Sequence, residues 1–268
     1  MTIRPLRSDS DLRGCIEIQK QTWGEQFTEC VPATILKVCQ RIGGVAAGAF
    51  GTDGRLLGFV FGMTGVERGE IVHWSDMLAV RPEARNLGLG QKLKQFQADA
   101  VRELGVSRIY WTYDPLVARN AHLNLNKLGA EVVEYVVDMY GNTESELHRI
   151  GTDRFVVAWH IAGRGGSEVA LPDLSADAAD TPVLNAAVGD GGTGDLSAPV
   201  VRVEVPARID AIQRVSLEEA ERWRATTRNA FVSALEQGYC VAGFFRETDQ
   251  GQCYYVLTRP HNTRAPED

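Results

Sequence analysis

Apolar residues recur three and four positions apart over residues 10–20 and again over 32–41, the spacing of two amphipathic helices, with Asp9 or Ser10 placed to cap the first. Two apolar runs follow, over 45–50 and 56–64. The GTDGR segment between them reads as a hairpin turn in which Asp53 and Gly54 take positive φ. A strand over 71–80, a helix over 88–104 ended by Gly105 and a strand over 108–113 then form a β-α-β unit. A helix over 118–128 closed by Gly129 and strands over 132–139 and 155–160 complete a mixed α/β pattern.

The pattern lapses between 162 and 199, where Gly, Ala, Asp, Ser and Pro dominate and large apolar residues are too few to build a core. It returns as a strand over 200–205, a helix opening at Ser216 with the capping-box spacing Ser216…Glu219, and strands around 240–246 and 253–258. The expected organisation is a mixed α/β domain at 1–161, a flexible excursion at 162–199, and a small α/β extension at 200–268. An extension of that size buries too little surface to stand alone easily, so it is expected to pack on the first domain.

Composition adds exclusions. The chain has 268 residues, 44% of them hydrophobic and 24% charged, which is enough to fill a full core. A formal net charge of -7 argues against nucleic acid and anionic membrane surfaces as partners, since both are bound mainly through Lys and Arg. MTIRPLRSDSDLRG contains no signal-peptide core, and no later segment reaches the roughly 18 uninterrupted apolar residues of a membrane span, so a cytoplasmic protein is expected. The five cysteines, Cys15, Cys30, Cys39, Cys240 and Cys253, are odd in number and form no CxxC pair. Neither a disulfide framework nor a metal site is indicated.

The candidate chemistry lies in LAVRPEARNLGLGQKLKQFQ, residues 78–97, where Gly88 and Gly90 separate an apolar run from a helix. Strand, glycine turn and helix together present unpaired N–H groups at a helix N-terminus, which suits an anion. Leu87 to Lys92 would supply those donors. Glycine removes the Cβ atoms that would hold a phosphate off, and Arg85 and Lys92 add positive charge. A P-loop would continue Gly-Lys-Ser or Gly-Lys-Thr, whereas this turn continues Gly90-Gln91-Lys92; a Rossmann fingerprint would need a third glycine where Leu93 stands. What remains is Arg-x-x-Gly-x-Gly, Arg85 to Gly90.

In that context the chain resembles the GNAT superfamily of acyl-CoA-dependent N-acyltransferases. LAVRPEARNLGLG, a helix, the strand RIYWTYD and a helix ending Asn126-Lys127-Leu128-Gly129-Ala130 follow the family's order over roughly residues 2–160. The resemblance implies a mixed, mostly antiparallel sheet with a splayed central strand pair at 71–80 and 108–113, and helices on both faces. It implies acetyl-CoA or succinyl-CoA as co-substrate. The pyrophosphate would lie on the amides of Leu87, Gly88, Leu89, Gly90 and Gln91 beside Arg85, with the pantetheine along the backbone of Leu78 and Val80. Asn120 or Asn124 could bond the pantetheine or adenosine end.

Acyl transfer to an amine needs a neutral amine, a polarised thioester carbonyl and a proton for the leaving thiolate. The resemblance places the carboxylate that helps deprotonate the amine at Asp76; Glu70 and His73 are further titratable candidates on the same strand. The family's usual tyrosine acid falls at Leu125, which leaves Tyr113 or Tyr140 as substitutes. DPLVARNAHLNLNKLGA with the tail segment WRATTRNAF looks like a bacterial branch found with N-acylamino acid racemases, which implies an amino-acid acceptor. A carboxylate on acceptor or donor would then need a cation, for which Arg119, His122, Arg224 and Arg228 are candidates. The partners expected are a small-molecule amine and, left open, a second copy of the chain. A peptide, polyamine or drug amine as acceptor, a non-catalytic acyl-CoA sensor, and an interaction module built on the 162–199 excursion stay open as alternatives.

Overall fold

The computed structural model describes residues 1–25, 27–141, 149–162, 181–186, 195–246 and 252–259. They form two compact units, one from residues 1–112, 149 and 157–162 and one from 113–141, 150–156 and the described residues from 181 onward.

The first unit is a sheet in the order β1-β2-β3-β4-β5, with the end of β7 beside β5. Its strands are β1 (Thr2–Pro5), β2 (Val45–Phe50), β3 (Leu56–Glu67), β4 (Glu70–Val80), β5 (Arg108–Tyr113) and β7 (Arg154–His160). The pairs β1/β2, β2/β3 and β3/β4 are antiparallel, and β4/β5 is parallel. Helices α1 (Asp9–Trp23) and α2 (Ala33–Arg41) cover an apolar core of Leu12, Cys15, Ile18, Leu36, Phe59 and Phe61. Helix α3 (Leu89–Arg102) buries Leu89, Leu93, Ala98 and Val101.

Local chemistry sets the element ends. Ser8, not Asp9 or Ser10, caps α1: Ser8 Oγ accepts the Asp11 N–H at 3.1 Å while the Asp11 carboxylate accepts the Ser8 N–H at 3.2 Å. The β2–β3 turn places only Gly54 at positive φ (79°); Asp53 acts through its carboxylate, which accepts the Arg55 N–H at 3.0 Å. Beyond α4 (Ala118–Ala121) the expected helix widens to a π-helix over His122–Lys127, a form with no periodicity signal of its own.

The second unit contains β6 (Glu131–Val136) beside the start of β7, an antiparallel sheet in the order β8-β10-β9, and helices α5 (Ile209–Val215) and α6 (Leu217–Glu236). Strands β8, β9 and β10 are Val200–Pro206, Cys240–Arg246 and Gln252–Thr258. The units do not divide at the expected boundary near 161, because aromatic packing joins the tail to residues 113–156. Phe231 of α6 lies 4.8 Å from the Phe155 ring and 5.5 Å from Tyr135, and Tyr255 of β10 lies 5.4 Å from Phe155. Most of the expected excursion at 162–199 lies outside the described residues. Within its described part, Asn185 bonds the backbone of Glu204 through both amide atoms, at 2.8 and 2.7 Å.

Candidate functional site

Two irregularities in β4 build the candidate site. The first is a bulge: Met77 pairs with Phe61 and Trp74 with Met63, so Ser75 and Asp76 together face the single residue Gly62. One extra residue kinks a strand and re-aims its side chains. Gly62 is needed there, since a Cβ would lie 2.3 Å from His73 Nε2 and 2.6 Å from the Trp74 carbonyl oxygen. The second is a parting of strands. β4 and β5 pair only at His73↔Ile109 and Trp74↔Tyr110, and from Ser75 to Val80 no described β5 residue is in register with β4. The result is a V whose open edge is the backbone of residues 75–80.

The V leads to the glycine turn. Asn86 (φ 65°) and Gly88 (φ 69°) both take left-handed backbone, which folds the chain back into α3. No side chain caps α3 at Gly88, so its first amides keep their donors for another acceptor. Arg85, Leu87, Gly88, Gln91 and Lys92 are exposed around them, whereas the Leu89 side chain is buried.

Asp76 stands on the bulge with an exposed side chain. Protein crowds it on several sides all the same; this partial desolvation raises its carboxyl above the ordinary range, Glu29 adds to the rise, and a hydrogen bond from Trp74 opposes it. Glu70 is exposed at the start of the strand.

His73 does not face an acceptor as a base would. It is fully buried, with Nδ1 2.9 Å from Thr64 Oγ1 and Nε2 3.0 Å from Gln97 Nε2. Thr64 donates its own proton to the Gly43 carbonyl at 2.6 Å, so its oxygen must accept from His73 Nδ1–H, and Nε2 accepts from Gln97. That fixes a neutral ring. Burial first, and Lys94 second, push the His73 pKa down to about 4.

The other candidates belong to the second unit. Tyr113 is buried, its hydroxyl 3.4 Å from that of Tyr255, and burial pushes its pKa far above the ordinary value. Arg224 and Arg228 are not open cations. Arg224 is buried and donates to Asp114 at 2.6 Å and to the Ile150 carbonyl at 3.1 Å, while Arg228 bridges the buried Asp153 at 2.5 Å and Asp138 at 2.8 Å. Arg119 is exposed on α4, Asn120 is half-buried and Asn124 is buried in the π-helix. One residue not singled out from the sequence belongs to the V itself: Lys94 of α3, buried, with Nζ 2.7 Å from Ser75 Oγ. Its signal was a charge on a helix face whose other members, Gln97 apart, are apolar. Among the described residues no group of His, Cys, Asp and Glu could hold a metal ion, and no helix is long and apolar enough to cross a membrane.

Residues 12–130 match the family model described as the acetyltransferase (GNAT) family. No curated protein matches the chain. Among solved structures, an aminoglycoside 6'-N-acetyltransferase complexed with coenzyme A is 15% identical, covering 62% of this chain and 99% of its own, with a TM-score of 0.46. The ribosomal-protein-S18-alanine N-acetyltransferase from Escherichia coli is 19% identical over 62% of this chain and 97% of its own, with a TM-score of 0.46. The aminoglycoside 6'-N-acetyltransferase from Enterococcus faecium is 17% identical over 62% and 99%, with a TM-score of 0.45. The family match falls on the segment that carries the bulge, the V and the glycine turn, so over residues 12–130 the chain is similar to the acetyltransferase (GNAT) family.

Proposed function

We propose that this protein transfers an acetyl or succinyl group from the corresponding acyl-CoA to the primary amine of an amino acid, by direct attack in a ternary complex. The observation that carries the reading is the V between β4 and β5 running into an uncapped helix N-terminus. A linear co-substrate with an anionic end fits that combination. The amides of Leu87 to Gln91 hold the pyrophosphate beside Arg85, and the backbone of Leu78 and Val80 pairs with the pantetheine as a further strand would.

Asp76 is the group we assign to the acceptor ammonium. The bulge presents it, and its raised pKa brings it closer to a useful base at neutral pH. His73 is neutral with both nitrogens engaged and serves as a strut. Arg224 and Arg228 balance carboxylates within the protein, and Arg119, exposed on α4, is the candidate cation for a substrate carboxylate. A second reading, a peptide, polyamine or drug amine as acceptor, draws on Glu29, whose charge adds to that of Asp76 and favours a cationic molecule.

The test is a panel of D- and L-amino acids, polyamines and peptides, each incubated with acetyl-CoA and with succinyl-CoA and analysed by mass spectrometry. An acylated amino acid supports the reading and names the donor. Acylation of polyamines or peptides alone moves the assignment to the second reading.

A further inference from the structure

The buried face of α3 consists of Leu89, Leu93, Lys94, Gln97, Ala98 and Val101, and Lys94 is its misfit. The Lys94 side chain is 2% exposed, its Nζ donates to Ser75 Oγ at 2.7 Å, and the same atom lies 3.7 Å from the centroid of the Trp111 ring. Among the described residues it forms no ion pair, and burial alone governs its charge. A buried amine with no anion is costly, and an apolar side chain of the same length would be the cheaper filling. Something other than packing therefore has to favour a lysine here.

Its position in the V suggests what. The last paired residues are Trp74 on β4 and Tyr110 on β5, so Ser75 and Trp111, the two residues Lys94 touches, are the first on each strand beyond the parting. Lys94 occupies the apex. From Ser75 the open edge runs to Val80, which at about 3.3 Å per residue is roughly 17 Å of free backbone leading back toward the glycine turn. An acyl-CoA anchored by its pyrophosphate at that turn and lying along this edge brings its sulfur end to the apex. This step rests on the acyl-CoA reading above.

We propose that Ser75 and Lys94 serve the leaving thiolate: Ser75 Oγ–H faces the sulfur, and Lys94 is the positioning residue and proton reserve behind it. Lys94 donates to Ser75 Oγ, which leaves the hydroxyl proton free for the sulfur. As the acceptor nitrogen bonds to the acyl carbon and releases its proton to solvent, the C–S bond breaks and sulfur leaves with the electron pair. Sulfur takes the Ser75 proton, Ser75 takes one from Lys94, and the neutral amine regains a proton from solvent once the thiol has left. No oxidant or further reactant is needed. Burial lowers the pKa of this amine well below its ordinary value, which makes it a readier proton donor. His73 is the other titratable group facing Lys94, and its ring is already neutral. The pair fills the role for which Leu125 offers no proton.

The test reads the thiol itself. Ultraviolet absorbance of the thiolate is followed against pH for the full chain saturated with CoA, with the desulfo-CoA complex subtracted as blank, in the wild type, Lys94→Met and Ser75→Ala. In the wild type the bound thiol should ionise about 1 pH unit or more below free CoA, the size of effect a nearby opposite charge produces. Both variants should return it to the free value while desulfo-CoA affinity stays within about threefold. If Lys94→Met does not fold, Ser75→Ala decides alone. A wild-type thiol that titrates as in free CoA, or as in both variants, overturns the inference and leaves the acyl-CoA reading intact. A wild type that binds neither CoA nor desulfo-CoA overturns both.

Discussion

Gly88→Ala separates what the glycine turn does for the fold from what it does for a ligand. Gly88 has φ 69°, and a Cβ built on it meets no protein atom within 4 Å. The folded chain therefore resists alanine only through the left-handed backbone, about 1–2 kcal/mol. In a protein of this size that lowers Tm by roughly 2–8 °C. The empty space around the Cβ is where an anion bound to the α3 amides would approach. Losing one hydrogen bond to a charged group costs about 1.5–3 kcal/mol, or at least tenfold in affinity. Gly54 supplies the control, with φ 79° and equally empty surroundings in the β2–β3 turn. Gly54→Ala should show the same fall in Tm and leave the CoA dissociation constant unchanged by titration calorimetry. Equal affinity in the two variants would refute the assignment of the turn to the coenzyme.

Three further outcomes follow from the charges. Asp76→Asn should lower kcat for amine acylation with little change in the KM for acetyl-CoA, and should remove the acid limb of the rate profile, which in the wild type lies above the ordinary carboxylate range because the Asp76 pKa is raised; a variant of full activity would exclude the role. His73 is depressed from 6.5 to about 4 in the folded state, so the unfolded chain binds the extra proton between those values and stability should fall as pH falls through that window, while the ring shows no NMR titration above about pH 5. Arg228→Ala strands the buried Asp153 carboxylate and should destabilise the second unit by roughly 3 kcal/mol in urea unfolding, with an Asp153→Asn/Arg228→Met double variant recovering much of the loss.

Most strands and helix cores were legible because burial on one face leaves a two- or 3.6-residue period in the sequence, and β2, β5 and β9 fall where the pattern puts them, whereas the four-residue β1 is too short to show a period. The glycine turn was legible from Gly88, whose left-handed φ few other residues accept. The bulge was not: a shift of one residue leaves no period, and the only trace of it is Gly62 interrupting an apolar run. The roles of His73, Arg224 and Arg228 depended on partners far along the chain. Arg224 meets Asp114 across 110 positions and Arg228 meets Asp153 across 75, distances at which sequence spacing carries no pairing information. Lys94 and Gln97 could have been found as polar residues on the otherwise apolar face of α3.

The most direct test of the central claim is the mass balance of one reaction, acetyl-CoA plus the best amine of the panel, with acylated amine and free CoA both quantified. The account predicts that they appear in equal amounts and that neither forms at the wild-type rate in Gly88→Val. Release of CoA without acylated amine, or no turnover with any amine, would contradict it.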